Sequence, residues 1–323
     1  MSATATLKSG QAVAEVTIKP FRAELVMKSN AQQCRRRVLA GPLLLIVAAA
    51  ARAQSTPTTP WQEVGRVLQT SDVFASGYHR YNLPRRDLTL RVGDVTVAPA
   101  LALGAWAGFS DDPNDATMMG DLIVTSAELK PVLAALVRQH LGTTAVHNHL
   151  VGENPRLIYV HFHGEGPAVD MARRLDSVIA LTGTPRPVAP ANAHPLSIDT
   201  SLVFRTLGAS GRAQGDVAQL SFILVPEKVE LHHRTVTPAL GYGSPINIQM
   251  VNAERAVATG DFAVLGSKVE PMVNALTTHG ITVTAVHSHL IDETPHIYYI
   301  HYWADGALSD VLAGLKAALN ASR

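Results

Sequence analysis

The chain predicts an α+β protein of two tandem homologous domains, each a mostly antiparallel sheet with two helices packed on one face. Three observations carry that expectation. Residues 120–163 and 260–303 match without a gap at 16 of 44 positions, including the pairs Gly120-Asp121 and Gly260-Asp261. Each copy reads strand, helix, His-rich hairpin, helix, with hydrophobic period switching between 2 and 3.6. The repeat length, 140 residues, is too long for a solenoid and is that of a whole domain.

The first 53 residues read as an export signal. Arg35, Arg36 and Arg37 precede an apolar run from Val38 to Ala51, and Ala51-Arg52-Ala53 offers a small-residue cut after Ala53. The run is shorter than the roughly 20 residues that a membrane-spanning helix needs. Met27 is a candidate for the true start, and the three arginines also fit a loose twin-arginine signal. A periplasmic or secreted protein with no transmembrane span in its mature chain is expected. Cys34, the single cysteine, falls in the leader, so thiolate metal sites and disulfides are excluded from the mature chain. The leader holds eight of the 27 basic groups and two of the 26 acidic ones, which leaves the remainder at net −5 with His neutral. No nucleic-acid footprint is present.

Ser55 to Pro60 is a polar, Pro-containing start. Leu88–Val92 and Val95–Ala98 flank Gly93-Asp94 as a tight hairpin, and Leu101–Phe109 reads as extended. The aspartates of 110–115 lack the spacing of a calcium loop and make a solvated turn. Gly120–Val124 is a short strand, with Asp121 and its partner Asp261 read as turn or cap residues. Glu128–Gln139 is a helix with Pro131 in its first turn. Strands Thr143–Leu150 and Leu157–His163 form a hairpin, and Pro167–Leu181 is the second helix. Residues 184–195 carry four prolines and separate a first domain, 61–183, from a second, 196–323. In the second, strands are expected at Leu220–Val225 and Val229–His233, and the last helix at Ala307–Leu319.

The two hairpins hold the candidate site. In each, His-x-His is followed by Glu four residues on and by His eight residues later: His147, His149, Glu153, His161, and then His287, His289, Glu293, His301. Alternation along a strand puts Val146, Val160 and Phe162 under the helices and the histidines on the opposite, free face. Depending on turn length, His147 stands opposite His161 or diagonal to it, and either placement lets the imidazoles converge. Three His and one carboxylate suit a divalent transition metal, Zn, Mn, Fe or Cu, with an open position for water or substrate. The same residues also suit a metal-free site for a polar small molecule, or an interaction surface at which one repeat packs on the other as a pseudo-dimer. His-x-His-x₃-Glu resembles half of a cupin motif, but Val160 and Ile300 stand where that motif has glycine, and cupins lack these helices. His163 is matched by Trp303, Arg156 by His296 and Gly152 by Asp292, so the two copies have diverged. No sequence motif for acyl transfer, a P-loop or a dinucleotide site is present, and no reaction is implied.

The paired pattern Gly-Asp…Pro…His-x-His-Leu…Glu-x-Pro…His resembles the LppY/LpqO family of bacterial exported proteins. That resemblance implies an exported, duplicated domain of unknown function. The family's lipid anchor is not implied, because no lipobox cysteine is present.

Overall fold

The computed structural model describes residues 58–110, 112–189, 198–214 and 217–323. The expected export signal therefore lies outside the described residues, as does the second half of the Pro-rich segment, 190–195. The first half runs α1 (Pro60–Leu68), β1 (Asp72–Ala75), β2 (Tyr78–Asn82), β3 (Leu90–Val92), β4 (Val95–Val97), α2 (Pro99–Ala102), β5 (Trp106–Ser110), β6 (Ala116–Thr125), α3 (Ser126–Arg138), β7 (Gly142–His147), β8 (Glu153–Asn154), β9 (Leu157–Gly166) and α4 (Ala168–Ile179). The second half repeats it as α5 (Thr200–Leu207), β10 (Gly211–Gln214), β11 (Val217–Phe222), β12 (Glu230–Leu231), β13 (Arg234–Thr235), α6 (Pro238–Gly241), β14 (Ser244–Met250) and β15 (Arg255–Leu265). It ends with α7 (Gly266–Thr278), β16 (Thr282–His287), β17 (Ile297–Ala307) and α8 (Leu308–Ala321).

Each half builds a six-stranded sheet, in the orders β1-β2-β5-β6-β9-β7 and β10-β11-β14-β15-β17-β16. All pairings within them are antiparallel. The expected α+β architecture of two similar halves is present. The helix count per half differs from the expected two, because α1 and α5 also pack on the sheets. Both are short, with few periodic apolar positions. Helix α1 is instead defined by its start, where the Thr59 hydroxyl accepts from the Gln62 amide and Gln62 reaches back to Thr59. The stretch expected to be extended from Leu101 begins with the turn of helix α2.

Two facing layers arise from alternation along the central strands. Met118, Leu122 and Val124 of β6 join Val160 and Phe162 of β9 in a core closed by Leu136 of α3 and Leu175 of α4. An equivalent core joins Phe262, Ile300 and Tyr302 to Leu276 of α7 and Leu315 of α8. Met119, next to Met118, points the other way, into a third cluster with Leu240, Tyr242 and Tyr299 of the second half. The helices therefore lie outside, and the sheets meet face to face. Short elements cross the seam in both directions. Asn247 and Gln219 donate to the Leu101 and Ala100 carbonyls of α2, at 3.1 and 3.0 Å, and Leu240 of α6 lies against Gly108.

Val146 and Val286 keep the expected alternation but not the expected burial, since each is 46% exposed. They sit on β7 and β16, the edge strands of the two sheets.

Glycine is required where the matched Gly-Asp pairs stand. A Cβ on Gly120 would meet the Phe162 ring and the Trp106 carbonyl, and one on Gly260 would meet the Pro245 carbonyl. Arg85 fastens the first half from beneath. Its guanidinium, 1% exposed, donates to Asp87, Glu128 and the Ile123 carbonyl, and Glu128 also caps α3 through the Thr125 amide. Arg85→Ala leaves these acceptors without their cation. It is expected to destabilise the protein by about 3–5 kcal/mol, read as a lower urea midpoint.

Candidate functional site: a six-histidine cluster between the repeats

The His-bearing faces of the two hairpins are not free. They meet at the seam, which corrects the expectation of a free face and agrees with the alternative in which one repeat packs on the other. In β7 a bulge between Thr143 and Ala145 sets Ala145 opposite His161 and His147 opposite Tyr159. The same bulge between Val283 and Ala285 sets His287 opposite Tyr299. His147 and His161 are thus diagonal neighbours, as are His287 and His301.

Across the seam the rings pair by pseudo-symmetry. His147 lies 3.8 Å from His287, His149 3.9 Å from His301, and His161 3.7 Å from His289, centroid to centroid. The ligand atoms of His147, His149 and His161 fall within 4.8 Å of one another, and so do those of His147, His287, His289 and His301. His147 belongs to both groups, so the six rings make one cluster. Either group is able to hold a metal ion.

Burial is deep: the His301 side chain is 0% exposed and that of His289 8%. All six Nε2 atoms are buried with no hydrogen-bond partner in the protein. Two tautomers are fixed by carbonyl acceptors: His301 Nδ1 donates to Gly260 O and His287 Nδ1 to Ser288 O, each at 3.1 Å. In these rings Nε2 keeps a lone pair directed into the cluster. Burial, with the neighbouring imidazoles adding to it, drives His147, His149, His289 and His301 far below the usual imidazole range and His161 to about 3. His287 is lowered mainly by burial. The rings are neutral donors, the form that binds metals.

The surroundings hold the rings rigidly. His149 stacks on Tyr159 at 3.5 Å and His289 on Tyr299 at 3.8 Å. The Tyr159 and Tyr299 hydroxyls donate to Ala102 O and Gly241 O, both at 2.7 Å. Thr284 of the second repeat donates to the His149 carbonyl at 2.6 Å.

Of the eight residues that the sequence singled out, the fold brings the six histidines together and leaves the two glutamates outside both groups. Glu293 Oε1 accepts from the Ile297 amide at 2.8 Å and pairs with His296, while Glu153 Oε1 accepts from the Leu157 amide at 3.4 Å. Each closes its own hairpin turn. Their place is taken by Asp121 and Asp261, whose turn or cap reading is overturned. Both sit within central strands, with Asp121 Oδ1 3.8 Å from His161 Nε2, and Asp261 3.7 Å from His289 Nδ1 and 3.8 Å from His301 Nδ1. Burial raises both carboxyls well above the usual range. Asp121 adds to the rise at Asp261, and the Arg80 cation partly offsets it at Asp121. The signal for these two was their repetition after glycine at a fixed distance from the histidines.

A cleft of about 1450 Å³ between the sheets reaches the cluster and is lined by His149, His161, His289, Asp121 and Asp261. Arg80 stands in its wall, 4.3 Å over the Trp106 ring, donating to Tyr78 and Asn82. Strand register matches Arg80 with Gln219 and Trp106 with Pro245. This feature is confined to the first repeat, so the duplication gave no signal for it.

The metal-free protein should be weakened by acid. A His whose pKa is depressed on folding binds protons better in the unfolded chain. Stability is then lost as pH falls below about 6.5, and loss continues toward the folded values. The raised aspartates act in the opposite sense, two groups against six. EDTA-treated protein is expected to melt at lower temperature at pH 5 than at pH 7.5, and equal melting temperatures would contradict six buried neutral imidazoles.

Comparison with known proteins agrees with the duplication. A double-ringed trimeric shell protein from the RMM microcompartment aligns over 64% of this chain and 82% of its own length, with 8% identity and a TM-score of 0.18. No match was found among curated proteins. The family described as Domain of Unknown Function (DUF1259) matches twice in tandem, over residues 62–181 and 202–321. Two copies spanning most of the chain, each contributing half of the histidine cluster, place the protein in the DUF1259 family.

Proposed function

We propose that the protein binds one divalent transition-metal ion at the pseudo-twofold axis between its repeats, through ligands drawn from the cluster of His147, His149, His161, His287, His289 and His301. The observation that carries this reading is the set of six buried Nε2 atoms with no partner. Buried polar atoms are nearly always paired, and unpaired ones cost about 1–3 kcal/mol each. A cation held by either group supplies the missing partner to three or four of them at once.

Charge supports a single ion. The six rings are neutral, and the nearest buried ionisable groups are Asp121 and Asp261. Bound cation and ionised carboxylates together make a neutral interior, whereas a second dication would leave an uncompensated buried charge. The aspartates then serve as outer partners that orient ring N–H groups, as carboxylates commonly do for metal-bound histidine. All-nitrogen donors favour zinc, copper, nickel or iron over magnesium and calcium. The cleft that reaches the cluster favours a small polar molecule as the further ligand. The arginine-rich leader and the LppY/LpqO-like motif support export. Among the described residues no helix is long and apolar enough to cross a membrane.

Metal analysis of untagged protein is the direct test. We expect the intact protein to hold about one equivalent more of a transition metal than the His147→Ala/His287→Ala double variant, and a rise in melting temperature on adding the metal to stripped protein. The Asp121→Asn/Asp261→Asn variant should retain the fold and bind roughly 10–100-fold more weakly. Less than about 0.1 equivalent, with no thermal shift from zinc, manganese, iron or copper, would leave the metal-free pocket as the better reading.

A further inference from the structure

The two ends of the seam are related by the same pseudo-symmetry and differ in chemistry. At one end the β3–β4 hairpin reaches the second repeat. There Arg255 lies between two carboxylates, Asp94 at 2.7 Å and Asp305 at 2.6 Å. This closed ion cluster is a fastener. At the other end the β12–β13 hairpin reaches the first repeat, and strand register identifies the counterparts. Arg255 becomes Asp115, Asp305 becomes Glu165, Trp303 becomes His163, and the turn pair Gly93-Asp94 becomes His232-His233. The arginine now stands on the hairpin, as Arg234, and two imidazoles have arrived.

We infer that His163, Glu165 and His232 form a second, peripheral site for a divalent ion of the zinc class, with solvent completing its coordination. Glu165 Oε1 lies 3.4 Å from His163 Nε2 and 3.1 Å from His232 Nδ1, and one ligand atom from each residue falls within 4.8 Å of the others. Ligand bonds of about 2.1 Å at tetrahedral angles put neighbouring donors about 3.4 Å apart. Two of the three donor spacings are therefore already those of one coordination shell, and the third lies within 4.8 Å.

His163 Nε2 is buried with no hydrogen-bond partner, in a side chain only 11% exposed. The backbone adds a separate observation. His232 and His233 both have positive φ, 47° and 66°, a region uncommon for residues other than glycine and in which asparagine, aspartate and histidine are enriched. In the first repeat the first of these turn positions is Gly93, at φ 57°. The second hairpin retains this turn with a histidine in place of that glycine, which brings an imidazole to Glu165. Among the described residues Arg234 is the one cation facing the group. It is held by Asp115 at 2.7 Å and stands 3.6 Å from the other oxygen, Oε2, of Glu165, so Oε1 is left to the histidines.

The site is independent of the six-histidine centre and is tested in its absence. Zinc titration of the folded His147→Ala/His287→Ala protein, followed by calorimetry, should still show about one equivalent. Adding His232→Ala, or His163→Trp to restore the second repeat's residue, should weaken that binding at least about tenfold, more than loss of a merely supporting group typically costs. His233→Ala should leave it unchanged. Cobalt(II) in place of zinc should give the intense visible bands of a four-coordinate ion, and these should vanish with His232→Ala. If His147→Ala/His287→Ala does not fold, the same loss of one equivalent is read between the intact protein and its His232→Ala variant. No uptake by the folded double variant, or uptake indifferent to both His163→Trp and His232→Ala, would make the cluster an ordinary ion pair and overturn the assignment.

Discussion

Six imidazoles sealed between two sheets set the terms for the rest of this structure. An apolar seam would need only shape complementarity. This one holds ring nitrogens that find no donor or acceptor in the protein, beside two carboxylates driven toward neutrality by the same burial. Such an interior is costly unless something completes it, and the surrounding packing is arranged to keep it in place. Tyrosines stack on one ring of each repeat and anchor their hydroxyls on the short crossing helices. Thr284 ties the backbone of His149 to the opposite repeat.

The duplication is what makes the cluster possible. One hairpin presents three histidines on one face, which by themselves leave a bound ion open to solvent. Facing it with its own copy doubles the donors and excludes water at the same time. The local devices are the same in both halves: a bulge in the first hairpin strand, a glycine that lets strand or ring approach, and an aspartate one residue further on. Repetition of these devices binds them to the centre and not to the stability of either sheet alone. Where the halves differ, at Arg80 over Trp106 and at His163 near His232, the differences lie along the cleft and at its rim. Symmetry thus serves the centre, and divergence serves what surrounds it.

Much of the architecture was legible because it is local. Period switching located the main strands and helices, and the matched residues revealed the duplication. The helices α1 and α5 escaped because neither carries a long periodic face. Each is recognised by its cap and by the sheet it covers. Val146 and Val286 obeyed strand alternation yet remain exposed, because alternation says which face a residue takes and not whether a helix reaches that far.

The sequence by itself determined the six histidines and their common strand face, since this follows from the two-residue period of a strand. The register and bulges of β7 and β16 chose the diagonal spacing. The sequence did not determine what that face meets. Helices outside and sheets inside is a choice of packing partner made by the third apolar cluster, where Met119, Leu240 and Tyr299 join across the seam. Only that docking turned two separate triads into one buried group. It also exchanged the carboxylates, because Glu153 and Glu293 are drawn into hydrogen bonds within their own turns. Asp121 and Asp261, distant in sequence from the hairpins, are carried to the centre by strands β6 and β15. Long-range strand pairing, which no spacing along the chain encodes, decided the chemistry of the site.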